Sequence, residues 1–180
     1  MALAKACNYA IALGSDNLSS SNQGQWAMQK VCTDVEWFED YLVGDEFLSE
    51  PVAFTEKDIM AFARRYDPQP FHIDREAAKA SQFGGIIASG THLFPAVWGG
   101  MIRAGFLNGR AMGAPGIALR FQKPVRPGDT LTVLSRVCEK RTSRSQPDRG
   151  YVEFESEATN QKGEVVMTFS FQQIIPTRPK

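Results

Sequence analysis

The sequence predicts an α+β domain in which an antiparallel sheet packs on one long buried helix. Residues 90 to about 107 read as a helix on which Leu93, Phe94, Ala96, Val97, Trp98, Met101 and Ile102 cover most of the circumference, the pattern of a helix enclosed by the protein. At 1.5 Å per residue it would be roughly 25 Å long. From Thr130 onward apolar and polar residues alternate with period two, as strands with one wet face do in antiparallel sheets. Turn-forming runs, Arg126-Pro127-Gly128-Asp129 and Asn160-Gln161-Lys162-Gly163, punctuate that alternation.

In chain order, residues 14–30 are rich in Ser, Asn, Gln and Gly. Such a composition buries little surface, so residues 1–34 are expected to be a tail and residues 35–180 the single domain. Trp37 to Asp45 suggests an extended piece ending in a Gly44-Asp45 turn. Phe47 to Phe54 reads as a strand, with Pro51 tolerable only at an edge or bulge. Thr55 is placed to cap a helix, with Asp58 three residues on as an approximate capping box. Ile59, Phe62, Ala63 and Tyr66 fall on one face of it. Asp74 caps a short helix through Ala80, and Ser81 to Gly85 is a loop. Ser89 is the candidate cap of the long helix, Gly99-Gly100 leaves room in its middle for close approach of a strand or an acyl chain, and Asn108-Gly109 marks its end. Ile117 to Phe121, Thr130 to Glu139, Val152 to Ala158 and Val165 to Phe171 are the strands. Met60, Met101 and Met112 read as core filler.

Composition narrows the function. Lys+Arg and Asp+Glu both number 20, for a formal net charge of zero in 180 residues, unlike the basic balance of a nucleic-acid binder. No apolar run approaches the ~18 residues of a membrane span. Cys7, Cys32 and Cys138 match neither a disulfide framework nor metal-ligand spacing, so they read as free thiols of a reducing, cytoplasmic compartment. The first 14 residues carry one Lys and an apolar run broken at Cys7-Asn8, a poor match to a secretory leader.

Chemistry concentrates between Tyr66 and Thr91. Asp67 and His72 stand five positions apart with Pro68 and Pro70 between them. Proline fixes its own φ and drives the preceding residue out of the α region, so Asp67 and Gln69 should be extended and Asp67 to Phe71 a stiff turn. A carboxylate can tune and orient a nearby imidazole, and imidazole is the side chain suited to proton transfer near neutral pH. Phe83-Gly84-Gly85-Ile86-Ile87-Ala88-Ser89-Gly90-Thr91 then leads into the long helix. The N–H groups at a helix start are unpaired and lie at the positive end of the helix dipole, and glycine there admits a substrate carbonyl closely. His92 in the first helical turn reads as a packed or partly exposed side chain. A metal site from His72, Asp74 and His92 lacks the usual ligand spacing.

The string Asp67-Pro68-Gln69-Pro70-Phe71-His72-Ile73-Asp74, with Gly90 eighteen positions after His72, resembles the MaoC-like acyl dehydratases, a family that includes the (R)-specific enoyl-CoA hydratases. The resemblance runs from about Val35 to about Ile175. The family's usual Asp-x-Asn-Pro-x-His-x-Asp has Gln69 here in place of Asn, and its usual His and Met around the later Gly are Ser89 and Thr91. The resemblance implies the hot-dog fold and a homodimer or higher homo-oligomer. It implies reversible addition of water to a trans-2-enoyl thioester, giving a (3R)-hydroxyacyl product. Asp67 and His72 would be the catalytic pair sharing one water, and the Gly90 N–H the oxyanion donor. Ser89 and Thr91 are candidate substrate-binding residues. Arg141, Arg144 and Arg149, in the loop from Lys140 to Gly150, are candidate partners of coenzyme A phosphates. Coenzyme A or acyl carrier protein would enter only as part of the substrate, with no other cofactor and no metal. A thioesterase on the same fold, or a non-catalytic acyl-thioester binding or assembly subunit, are the competing readings.

Overall fold

The computed structural model describes residues 35–179. The expected tail at 1–34, with Cys7 and Cys32, lies outside the described residues. Six strands form one antiparallel sheet in the order β1-β4-β5-β6-β3, with β2 also on β4. The strands are β1 Glu46–Leu48, β2 Val52–Ala53, β3 Ile117–Phe121, β4 Thr130–Thr142, β5 Arg149–Asn160 and β6 Val165–Pro176. Against the inner face lies helix α4, Gly90–Arg103, preceded by α1 Glu56–Tyr66, α2 Pro70–Ile73 and α3 Arg75–Ala80. A long sheet wrapped over one central helix is the hot-dog arrangement, as expected.

The period-two pattern translates directly into burial. Leu131, Val133 and Val137 of β4, Val152, Phe154 and Ala158 of β5, and Met167, Phe169 and Phe171 of β6 are buried. Aromatic rings stitch the helix to them: Phe94 meets Phe169 edge-on at 5.5 Å, and Trp98 meets Phe171 at 5.2 Å. Such edge-to-face pairs add about 0.5–1.5 kcal/mol each beyond area burial. Of the two uses expected for the double glycine, close approach of a strand is the one seen, and at Gly100. Glu50 N–H donates to the Gly100 carbonyl at 3.2 Å. A Cβ on Gly100 would stand 2.6 Å from Val52 Cγ2 and 2.9 Å from the Glu50 carbonyl oxygen, so the β1–β2 segment needs that space.

Several boundaries differ from expectation. The stretch after Trp37 is a turn of 3-10 helix, Phe38–Asp40, held because the Asp40 carboxylate accepts the Trp37 N–H at 2.9 Å. The strand expected from Phe47 to Phe54 breaks around Pro51 into β1 and β2, both paired with β4. Helix α4 ends at Arg103 rather than at Phe106 or Leu107, because Gly105 takes φ 87° and stops the α-helical ladder. A short 3-10 segment, Phe106–Gly109, follows. Nor is α4 enclosed all round: Leu93, Val97, Gly100 and Met101 are buried, whereas Ile102 is exposed. Met112 is exposed rather than core filler, and so is Tyr66 on α1. Strand β3 is the open edge of the sheet. Its Ile117, Leu119 and Phe121 pair with the buried Phe171, Phe169 and Met167 yet remain 43%, 39% and 51% exposed.

Candidate active site

Three local structures converge near the start of α4. Thr55 caps α1 by accepting the Asp58 N–H at 3.1 Å, and α1 runs to Tyr66, where the residue before Pro68 cannot continue it. Asp67 leaves the helix with φ −153° and ψ 69°. Gln69 is extended as predicted, but Pro70 then begins one turn of helix, α2. Proline is at home in that first position, where its missing N–H costs nothing. His72 therefore rides on a helical turn rather than on an extended bend. Asp74 ends it and caps α3, accepting from the Glu76 and Ala77 N–H groups.

His72 is 4% exposed. Its Nδ1 donates to the Ile87 carbonyl at 2.8 Å. A carbonyl oxygen can only accept, so the neutral ring carries its hydrogen on Nδ1 and a lone pair on Nε2. Nε2 stands 3.4 Å from Asp67 Oδ2. The Ile87 carbonyl is itself well placed, since the adjoining Ala88 N–H donates to Val125 at 2.8 Å. Phe71 packs edge-on against the imidazole at 4.5 Å.

Asp67 is held at both oxygens. Ser89 Oγ donates to Oδ2 at 2.6 Å and Gln69 Nε2 to Oδ1 at 2.8 Å. The Ser89 hydrogen bond, then that of Gln69, hold the carboxyl below its ordinary range, because donors favour the charged form. Ser89 also caps α4 as predicted, accepting the Thr91 N–H. Gly90 opens the helix, so its N–H has no intrahelical acceptor. The group nearest its Cα face is the Phe121 ring: a Cβ on Gly90 would lie 2.7 Å from Phe121 Cε2.

Asp67, His72, Ser89, Gly90 and Thr91 are thus brought together. The three arginines are not among them. Arg141 stacks on Tyr151 at 4.1 Å, Arg149 pairs with Asp148, and Arg144 shares a shallow surface recess with Arg141 and Tyr151. Phe121 pairs with Met167, and Met167 with Ala158. From Ala158 back to Tyr151 is about 23 Å along β5 at strand rise, so the arginines occupy the far end of the protomer. His92 is packed, as expected, stacked on Phe62 at 4.4 Å and edge-on to Phe54 at 5.2 Å. Gln69, Phe121 and the Ile87 carbonyl were not predicted as site groups. Gln69 was visible in the motif; the other two come close only through tertiary folding. An apolar trough of about 420 Å³ between α4 and β3 begins at Phe94, one turn from Gly90, and continues past Trp98 to Ile117, without reaching Asp67 or His72.

Residues 41–160 match the MaoC like domain family. The chain belongs to this MaoC-like family. Among curated relatives, YdeM of Bacillus subtilis (strain 168) is 32% identical over 109 residues, covering 60% of this chain and 77% of YdeM. Among solved structures, the MaoC-like dehydratase from Rhodospirillum rubrum is 38% identical with TM-score 0.76, covering 80% of this chain and 99% of that one. The R-hydratase PhaJ1 from Pseudomonas aeruginosa is 26% identical with TM-score 0.61, over 79% of this chain and 86% of its own. The hot-dog fold and the MaoC-like assignment from the Asp67–His72 motif and Gly90 are therefore as the sequence implied.

Proposed function

We propose that this MaoC-like protein is an acyl-thioester hydratase/dehydratase that adds water reversibly to a trans-2-enoyl thioester to give the (3R)-hydroxyacyl product. The observation that carries this reading is the pairing of His72 Nε2 with Asp67 Oδ2 at 3.4 Å, with the lone pair on Nε2 set by Ile87. One water can bridge two acceptors so placed. Nε2 takes a proton from it as its oxygen bonds to Cβ, while ionised Asp67 accepts the other O–H and fixes its direction. The imidazolium then delivers the proton to Cα of the enolate on the same face, a syn addition. Negative charge on the thioester oxygen meets the Gly90 N–H at the positive end of α4. Dehydration is the reverse. The reaction needs no redox partner and no metal, and coenzyme A or acyl carrier protein serves only as the carrier of the acyl group.

The exposed row Ile117, Leu119 and Phe121 on an open sheet edge supports pairing of two copies, since such an edge is otherwise an aggregation liability. The exposed free thiol of Cys138 fits a reducing cytoplasm. No helix among the described residues is long and apolar enough to cross a membrane.

Crotonyl-CoA tests the reading directly. Loss of the conjugated thioester absorbance without release of free thiol is the expected result. Thiol release would make the protein a thioesterase, and no change across enoyl-CoA chain lengths would leave it a binding or assembly subunit.

A further inference from the structure

Ser89 is 1% exposed, and its hydroxyl has no capacity left for a ligand. An ionised carboxylate only accepts, so the 2.6 Å contact with Asp67 Oδ2 uses the single Ser89 hydrogen. The 2.8 Å contact between Ser89 Oγ and Thr91 Oγ1 must then run the other way, with Thr91 donating. The Thr91 N–H donates to the same oxygen at 3.2 Å, and a hydroxyl has two lone pairs. Ser89 is therefore filled by two incoming hydrogen bonds and one outgoing, in a directed chain from Thr91 through Ser89 to Asp67. Each link polarises the next. With Gln69 on Oδ1, the carboxylate is anchored at both ends. What remains on Oδ2 is the lone pair turned toward His72.

We infer that Ser89 is a positioning residue rather than a substrate ligand: the Thr91–Ser89–Asp67 chain sets which lone pair of Oδ2 is presented to the water shared with His72. The inference rests on the hydratase reading for its kinetic consequence, but the chain itself can be tested without turnover.

The experiment compares wild type with Ser89→Gly, Ser89→Thr and Thr91→Val. Glycine is tolerated at a helix N-cap nearly as well as serine, so Ser89→Gly removes the donor with little loss of the cap, and a thermal melt checks this. Carbon-13 NMR of the carboxyl carbons then follows Asp67 through a pH titration. The midpoint is expected to rise in Ser89→Gly, to rise less in Thr91→Val, and to return in Ser89→Thr. In parallel, kcat for enoyl-CoA hydration should fall about 10- to 100-fold in Ser89→Gly, as a misplaced catalytic group does. KM should stay nearly unchanged. An unchanged Asp67 titration in folded Ser89→Gly overturns the inference. So does a variant that raises KM alone, which would return Ser89 to the role of substrate ligand. A wild type with no hydration activity sinks the hydratase reading instead, and leaves the titration to decide the chain.

Discussion

The Nδ1 of His72 and the carbonyl oxygen of Ile87 meet at 2.8 Å, and this contact selects the imidazole tautomer. Nitrogen-15 NMR of the neutral protein should show the hydrogen on Nδ1. His72→Ala should lower hydration about 100- to 10,000-fold, the usual worth of a positioned acid–base group. It should also destabilise the fold by roughly 1–3 kcal/mol, because the Ile87 carbonyl loses its donor in a buried setting. Turnover near wild type would remove His72 from the reaction.

Asp67→Asn keeps the shape of the side chain and removes the charge. Turnover should fall by a similar factor of about 100 to 10,000, with the circular dichroism spectrum unchanged. The Ser89 and Gln69 donors hold the wild-type carboxyl low, so in a carbon-13 titration Asp67 should stay ionised as pH falls through the ordinary carboxylate range and protonate only below it. The same depression makes Asp67 contribute to stability above its unfolded-state value, a contribution that disappears as pH falls through the lower folded-state value.

Gly90→Ala would drive its Cβ to 2.7 Å from Phe121 Cε2. The Phe121 ring is half exposed and can swing aside, so the protein should fold normally. A substrate carbonyl has no such freedom, and kcat/KM is expected to fall about 100-fold, as for a displacement of roughly 1 Å at the reacting centre. The double variant with Phe121→Ala should relieve the ring contact without restoring kcat/KM. Full recovery would mean that the glycine serves only Phe121.

The adjacent glycines of α4 should behave oppositely in urea denaturation. Gly100→Ala meets Val52 and the Glu50 backbone and should destabilise by about 1–3 kcal/mol, the usual cost of overpacking. A Cβ on Gly99 would meet only the flexible end of Arg103, at 3.1 Å. Gly99→Ala should therefore stabilise by up to about 1 kcal/mol through helix propensity.

Burial holds the His92 imidazole below its ordinary range, against the opposing pull of Asp58. Its folded-state value lies under the unfolded one, so the folded state resists the protonation that the unfolded chain accepts. Stability should decline as pH drops below about 6.5 toward the lower folded-state value. His92→Gln should flatten that slope in a pH series of urea melts, and an unchanged slope would place its origin elsewhere.

Much of this was legible before folding because it depends on neighbours along the chain. The caps Thr55, Asp74 and Ser89 are local chemistry, the alternation from Thr130 onward is strand chemistry, and Asp67 and His72 are one motif. The errors share a physical origin. Periodicity showed that α4 is apolar nearly all round, but it could not show that β3 leaves Ile102 bare. Whether Gly105 continues or stops α4 depends on whether its φ turns positive, which composition alone does not decide. The contacts of Gly90 with Phe121 and of His72 with Ile87 span 31 and 15 residues, so they exist only once the sheet and helix have met. The arginines fitted phosphate chemistry by type, yet strand length carries them to the opposite end.

Phe121 belongs both to the uncovered apolar row of β3 and to the doorway of the Gly90 amide. On the proposed function, a second copy resting on Ile117 and Leu119 would also constrain that ring, so pairing along β3 would govern how widely the Gly90 amide is open to a carbonyl.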